Sequence, residues 1–395
     1  MNAASQPPAG GSLPEFSLVR GDLLDRLQRA AHIIPRDGRD GVVRRMILYT
    51  LLAWLPLAAW AWANDRVFEA SGGEPLLRHF GLHARFLVAL PVLIFGERMA
   101  QGVMRRILPR FVSSGLISEE KVPAFAEVVA GMVRLRDSAL PWVAIGGVIL
   151  AAILIPQVSQ QLKELDWARE GKGLGFGGWW YLCVSRPLMQ IFLFGWLWRL
   201  VLVTVLLRRI VKLGLETVPT HPDGLAGLGF IESLPLGFLP MAFAMSCVLS
   251  GHAAHDVIYH GVHVASLRMQ GIALGVVALG LCLAPLMSFL PVLKKTKRKA
   301  LAEYGDFTAW HERLVHRRWI EGRKEEPNAV LDAPELGPSA DVYALFNAVR
   351  AMRAFPMSSR SLMSFALPIA LPMLAVGAIE IPIAELLGKV FKTVF

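Results

Sequence analysis

Seven runs of apolar residues, most of them near twenty long, constrain this chain more than any other feature of its sequence. About 20 residues is what an α-helix needs to cross the hydrocarbon core of a bilayer. The runs cover residues 46–63, 86–95, 138–158, 179–207, 234–250, 272–293 and 362–382. The second is short, and needs 82–85 and 96–99 to reach both interfaces. Of the 395 residues, 54% are hydrophobic and 18% charged, and a soluble fold cannot bury so much apolar surface. The expected fold class is all-α, a polytopic transmembrane helix bundle of about seven spans. In this reading 1–45 is a tail with an amphipathic helix, 46–293 holds six spans, 294–360 is a basic segment, and 361–395 is the last span and its tail. Pro187, Pro235, Pro240, Pro368, Pro372 and Pro382 predict kinked spans.

Charge sets the expected orientation. Lys and Arg exceed Asp and Glu by 10, and the excess is unevenly spread. Seven arginines lie in 1–45, seven Lys or Arg in 96–137, and thirteen in 294–360. The alternate connections are poor: Arg66 and Arg78; Lys163, Arg169 and Lys172; then Arg268. This is the positive-inside pattern. It predicts a multi-pass protein of a bacterial plasma (inner) membrane, with a cytoplasmic amino terminus and a periplasmic carboxy terminus. With no leader visible, the first span is expected to act as its own anchor. The basic loops would meet anionic lipids on the cytoplasmic face. Nucleic acid is not expected, since no basic and aromatic stacking platform is visible, and a homo-oligomer is compatible with the sequence. Cys183, Cys247 and Cys282 lie inside apolar runs as single residues, so they read as small buried hydrophobes.

Between the spans, local patterns predict further helices. Residues 22–34 carry Leu23, Leu24, Leu27, Ala30, Ala31 and Ile34 at helical spacing with arginines opposite, up to Pro35. That is an amphipathic helix for the inner leaflet. Ser118, Glu119 and Glu120 open another. Helices are expected over 300–320 and 340–354, around a Pro-rich loop at 327–338. Residues 1–14 read as disordered. Trp54, Trp60, Trp62, Trp179, Trp180, Tyr181, Trp196 and Trp198 sit toward run ends, as interfacial aromatics do.

Three groups could carry chemistry. The first is the loop PTHPDGLAGLG between the fourth and fifth runs. His221 and Asp223 could hold a metal, relay a proton or bind an anion; equally, Asp223 caps the fifth span and His221 bonds a backbone carbonyl. The loop lacks the Gly-Lys-Ser/Thr ending of a phosphate-binding P-loop. The second is GHAAHDVIYHGVH. On one helix, His252, His255, Asp256, Tyr259, His260 and His263 share an arc of roughly 140°. Such a face could bind a divalent transition metal such as Zn, Cu or Ni, sense pH, or serve as the polar side of a wet helix. The third is charge within the spans. Arg186 and Glu380 lie at similar outer depths, so they could pair, line a solute path, or snorkel to the headgroups.

Several stretches together resemble a family of uncharacterised bacterial polytopic integral membrane proteins. They are WLPL at 54–57, RFLVALPVLI at 85–94, SRPLMQIFLFGWLWRL at 185–200, PTHPDGLAGLGF at 219–230, EYG at 303–305, AMRAFPM at 351–357 and IPIAELLGKVF at 381–391. This chain has Ala226-Gly227 where the family usually has Gly-Gly, and Gly195 where it often has arginine. The resemblance implies a shared fold and draws weight to the His-Pro-Asp loop, but it implies no activity. The functional expectation is transport or small-solute handling rather than catalysis. The alternatives are a membrane-embedded His/Asp metal enzyme and a non-catalytic scaffold.

Overall fold

The computed structural model describes residues 16–34, 41–68, 74–154, 163–170, 173–322 and 337–380. The expected tail at 1–14, Pro35, most of the Pro-rich loop, Pro382 and the ending 381–391 lie outside these residues. Among the described residues the chain is an all-α bundle, and its only β pairing joins Arg169–Glu170 to Gly173–Leu174 antiparallel. Among the described residues, seven helices are long and apolar enough to cross a membrane: Val42–Ala63, Phe80–Ser113, Glu119–Leu154, Phe176–Lys212, Gly229–His260, Val264–Ile320 and Ser359–Glu380. They are spans 1 to 7 below. The chain is therefore a multi-pass integral membrane protein.

Several boundaries move outward. Span 1 begins at Val42, inside the stretch expected to be tail. Span 2, the weakest in sequence, belongs to a helical segment of 34 residues, because Glu97 and Gln101 are buried within it instead of ending it. Span 6 runs on past its apolar run into the basic segment, and the following helix is Gly337–Ala351, three residues earlier than expected. Ser118 does stand at the N-cap of the next helical segment, but its hydroxyl makes no cap hydrogen bond.

Prolines shape the spans in a traceable way. Proline has no N–H, so the carbonyl four residues earlier loses its helical donor. In span 1 Pro56 orphans the Leu52 carbonyl, and Trp180 Nε1 donates to it at 3.1 Å. Beside it Ser185 Oγ donates to the Ala53 carbonyl at 2.7 Å. In span 2 a wide π turn, Ala84–Ala89, precedes Pro91, and in span 4 another, Tyr181–Ser185, precedes Pro187. The two π turns face one another, since Arg85 Nη1 donates to the Tyr181 hydroxyl and Phe86 meets the Tyr181 ring edge-on.

Close approach at glycines joins the helices, as is usual where lipid offers no hydrophobic drive to associate. A Cβ on Gly251 of span 5 would lie 2.7 Å from Ala84 Cβ and 3.0 Å from the Phe80 carbonyl of span 2. Trp196 is fully buried and donates to the Leu93 carbonyl, so it belongs to the core and not to an interfacial belt. Cys247 and Cys282 are buried, but Cys183 is exposed on its helix, against expectation.

The amino-terminal helix is Leu23–Ala30, ending five residues before Pro35. Its buried residues are Asp25 and Gln28, while Leu27 is 58% exposed. The helix thus seats on the bundle through Asp25 and Gln28, with Leu24 packed beside them, and turns Leu27 outward. The amphipathic pattern gave the two faces but not which one meets protein.

Candidate functional site

At the bundle end opposite the amino-terminal helix, span 5 finishes with the histidine-rich stretch. Gly261 adopts φ +61 and the Val262 N–H returns to the Asp256 carbonyl, which closes the helix at His260. His263 therefore leaves the imidazole face proposed from a continuous helix. It stands at the start of span 6, with Nδ1 3.6 Å from Glu380 Oε1. Glu380 also accepts the Val264 N–H at 3.1 Å, so this carboxylate is held by the turn between spans 5 and 6. Arg186 is half-buried where the π turn of span 4 ends.

The other histidines gather around a cavity of about 660 Å³ lined by Glu74, His79, Tyr181, His252, His255, Asp256 and His260, among others. His252 turns inward, with Nε2 2.8 Å from Arg85 Nη2 and its ring over Gly81, where a Cβ would lie 2.8 Å from the imidazole. His255 and His260 reach across to Glu74, on the strap that leads into span 2. His255 Nε2 is 3.0 Å from Glu74 Oε2, and His260 Nε2 is 3.7 Å from Glu74 Oε1. One ligand atom from each of these three residues lies within 4.8 Å of the others.

The hydrogen bond on the far side of His255 gives this trio its chemical meaning. His255 Nδ1 lies 2.8 Å from the Arg78 carbonyl. A carbonyl only accepts, so Nδ1 carries a proton and Nε2 presents its other valence to the Glu74 carboxylate. A bare nitrogen lone pair against a carboxylate at that distance is repulsive. The contact is satisfied by a proton shared between the two groups or by a metal ion that both bind. A histidine ligand whose other nitrogen donates to a backbone carbonyl is the usual arrangement at metal centres. His79 stacks on the His255 ring at 5.4 Å and restrains its plane.

Sequence reasoning put His255, Asp256 and His260 near one another but missed Glu74, His79, Arg85 and Tyr181. For Glu74, His79 and Arg85 the one sequence signal is polar residues crowded just before an apolar run. It also missed a second group at the amino-terminal end. Glu97 of span 2 meets Arg45 of span 1 at 2.6 Å and Arg199 of span 4 at 2.9 Å, and Arg199 reaches Asp22 at 3.3 Å. All four side chains are at most 4% exposed. Arg199 stands in the middle of an apolar run, which was the available clue. Asp22, outside the spans, is pushed up from its ordinary value by burial, a push that Arg199 opposes without cancelling.

The loop motif is a tied turn. Asp223 accepts from the N–H groups of Leu225 at 2.7 Å, Gly227 at 3.2 Å and Gly229 at 2.7 Å. Burial alone would raise its carboxyl, but these donors and His221 hold it below the ordinary value. His221 Nδ1 lies 3.0 Å from Asp223 Oδ1. Arg353 clamps the loop from behind, through Glu232 and the Asp223 carbonyl.

No protein-family model, curated protein or solved structure matches the chain.

Proposed function

We propose that this protein binds a divalent transition-metal ion at the outer face of a bacterial plasma membrane and handles that ion there, most simply by admitting it to a transport path. The reading rests on the convergence of Glu74, His255 and His260, with the His255 tautomer fixed by the Arg78 carbonyl. Two imidazoles and one carboxylate suit Zn, Cu or Ni. The outer position follows from the positive-inside distribution of Lys and Arg. Asp256 and Glu74 make the cavity attractive to cations. Arg186 and Glu380 remain the span residues for testing a path.

A second reading has its own observation. Three protein ligands leave a zinc ion one open position, as in catalytic zinc sites, and the cavity beside the trio could seat a substrate.

One experiment separates them. Purified protein is loaded with Zn²⁺, measured by elemental analysis, and reconstituted into vesicles holding a zinc-sensitive dye. The transport reading expects near-stoichiometric metal and a zinc influx that His255→Ala and His260→Ala abolish. Bound metal without influx favours the enzyme. A protein that takes up no metal defeats both.

A further inference from the structure

Spans 6 and 7 touch near the histidine end of the bundle and then part. A Cβ on Gly271 of span 6 would lie 3.0 Å from Met373 Cε of span 7. One turn deeper, a Cβ on Gly275 would meet nothing within 4 Å. Glycines in spans usually let two helices close up, but here Gly275 faces open space. The result is a groove of about 470 Å³ between the two spans, with Ser246 of span 5 on its floor. Ser246 is 1% exposed and its hydroxyl is buried without a hydrogen-bond partner, so protein packing does not complete that floor.

Length and charge point to the occupant. Apart from Arg268 and Ser246 the lining is entirely apolar. Arg268 and Leu279 both line the groove on span 6, and the helix rises about 16 Å between them. The hydrocarbon core of a bilayer is about 30 Å thick, so the groove has the depth of one leaflet. Its mouth carries one charge of each sign. Arg268 is exposed and makes no hydrogen bond or ion pair among the described residues. Glu380 stands one turn past Gly377 of the groove wall, and accepts at 3.1 Å from the N–H of Val264, another wall residue. Val264 and Arg268 are neighbours on one face of span 6. A guanidinium and a carboxylate thus flank the mouth, about one helical turn apart along span 6 and not paired with each other. A purely anionic headgroup would suit Arg268 but meet Glu380 unfavourably. A headgroup with adjacent phosphate and ammonium matches both.

We propose that this groove holds an acyl chain of one zwitterionic phospholipid that bears a primary ammonium, with its phosphate on Arg268 and its ammonium on Glu380. Met373, unbranched and adaptable, borders the chain where the spans are closest.

The test titrates the full chain in detergent with phosphatidylethanolamine, phosphatidylcholine or phosphatidylglycerol of matched acyl chains, and counts retained lipid by native mass spectrometry. The wild-type protein should retain one phosphatidylethanolamine with an affinity about fivefold above the other two, the upper end for an exposed ion pair. Arg268→Gln should weaken all three lipids by a similar factor, because each has a phosphate. Glu380→Gln should erase the preference over phosphatidylcholine, whose quaternary ammonium has no N–H to donate. Gly275→Leu places a side chain where a Cβ meets no atom, so the fold is kept while the acyl chain is displaced and all three lipids bind more weakly. Equal retention of the three lipids by the wild-type protein would overturn the proposal. So would a preference for phosphatidylglycerol, or a dimer that forms as lipid is stripped away and whose second copy fills the groove. These three outcomes are read on the unmodified protein, so the proposal stays testable even if a variant fails to fold.

Discussion

His255 Nε2 stands 3.0 Å from Glu74 Oε2 while its Nδ1 is engaged by the Arg78 carbonyl at 2.8 Å. The carboxylate comes from the strap before span 2 and the imidazole from the last turns of span 5, so the pair joins two elements far apart in sequence. Glu74→Gln removes the negative ligand at a half-exposed position. It should lower Zn²⁺ affinity at least about tenfold, the smaller end of what is lost when the support of a metal ligand is removed. Stability should change by no more than about 0.5 kcal/mol, as at other surface positions. Isothermal titration of both proteins checks this, and wild-type affinity in the variant would exclude Glu74 as a ligand.

Glu97 is the shared counter-ion of Arg45 and Arg199. Glu97→Gln leaves two guanidiniums buried with one carboxylate, Asp22, between them. Breaking a buried ion pair from one side costs about 3–5 kcal/mol. The variant should unfold at clearly lower denaturant concentration than wild type. A loss below about 1 kcal/mol would mean that water already solvates these arginines.

The two displaced aspartates should respond to pH with opposite sign. Asp223 is held below the ordinary carboxyl value of 3.8, so its contribution is present above that pH and is lost as pH falls through the folded value. Asp223→Asn should cost about 2 kcal/mol at neutral pH, the scale of hydrogen bonds to a charged group. The gap to wild type should shrink below pH 3.8. Asp22 is raised above 3.8, so its contribution is present at low pH and is lost as pH rises. Asp22→Asn should therefore gain on wild type as pH rises above 3.8. Unfolding curves at several pH values check both, and parallel trends would contradict the assignment.

Ala226 is fully buried in the left-handed region at φ +56, where a Cβ is strained. Ala226→Gly relieves about 1–2 kcal/mol of strain and gives back about 0.4–1 kcal/mol through a more flexible unfolded chain. The net expectation is a gain of about 0–1.6 kcal/mol, read as a higher Tm. A loss in Tm would show that the methyl group packs better than the turn suffers.

The two sites differ in how far they could be read from sequence. His255, Asp256 and His260 were legible because one helix carries them at helical spacing. Their acidic partner was not, since Glu74 reaches them only through the strap before span 2. His263 was misplaced for a local reason, because Gly261 at positive φ ends the helix one turn earlier than the polar pattern continues. The buried Arg45, Glu97 and Arg199 were harder still. Arg45 reads as one more basic residue before a span, and Glu97 as the end of a short one.

The sequence by itself determined the all-α class and the seven spans, because apolar run length is a local property that a bilayer selects directly. Tertiary structure alone decided which polar groups inside those spans are paired. It turned the amino-terminal helix so that Asp25 and Gln28 are buried and Leu27 is exposed. It also brought Glu74 to His255, and Glu97 to both arginines. A charge within an apolar run is tolerated only when another element supplies its counter-charge, and no spacing along one chain segment encodes which element that is.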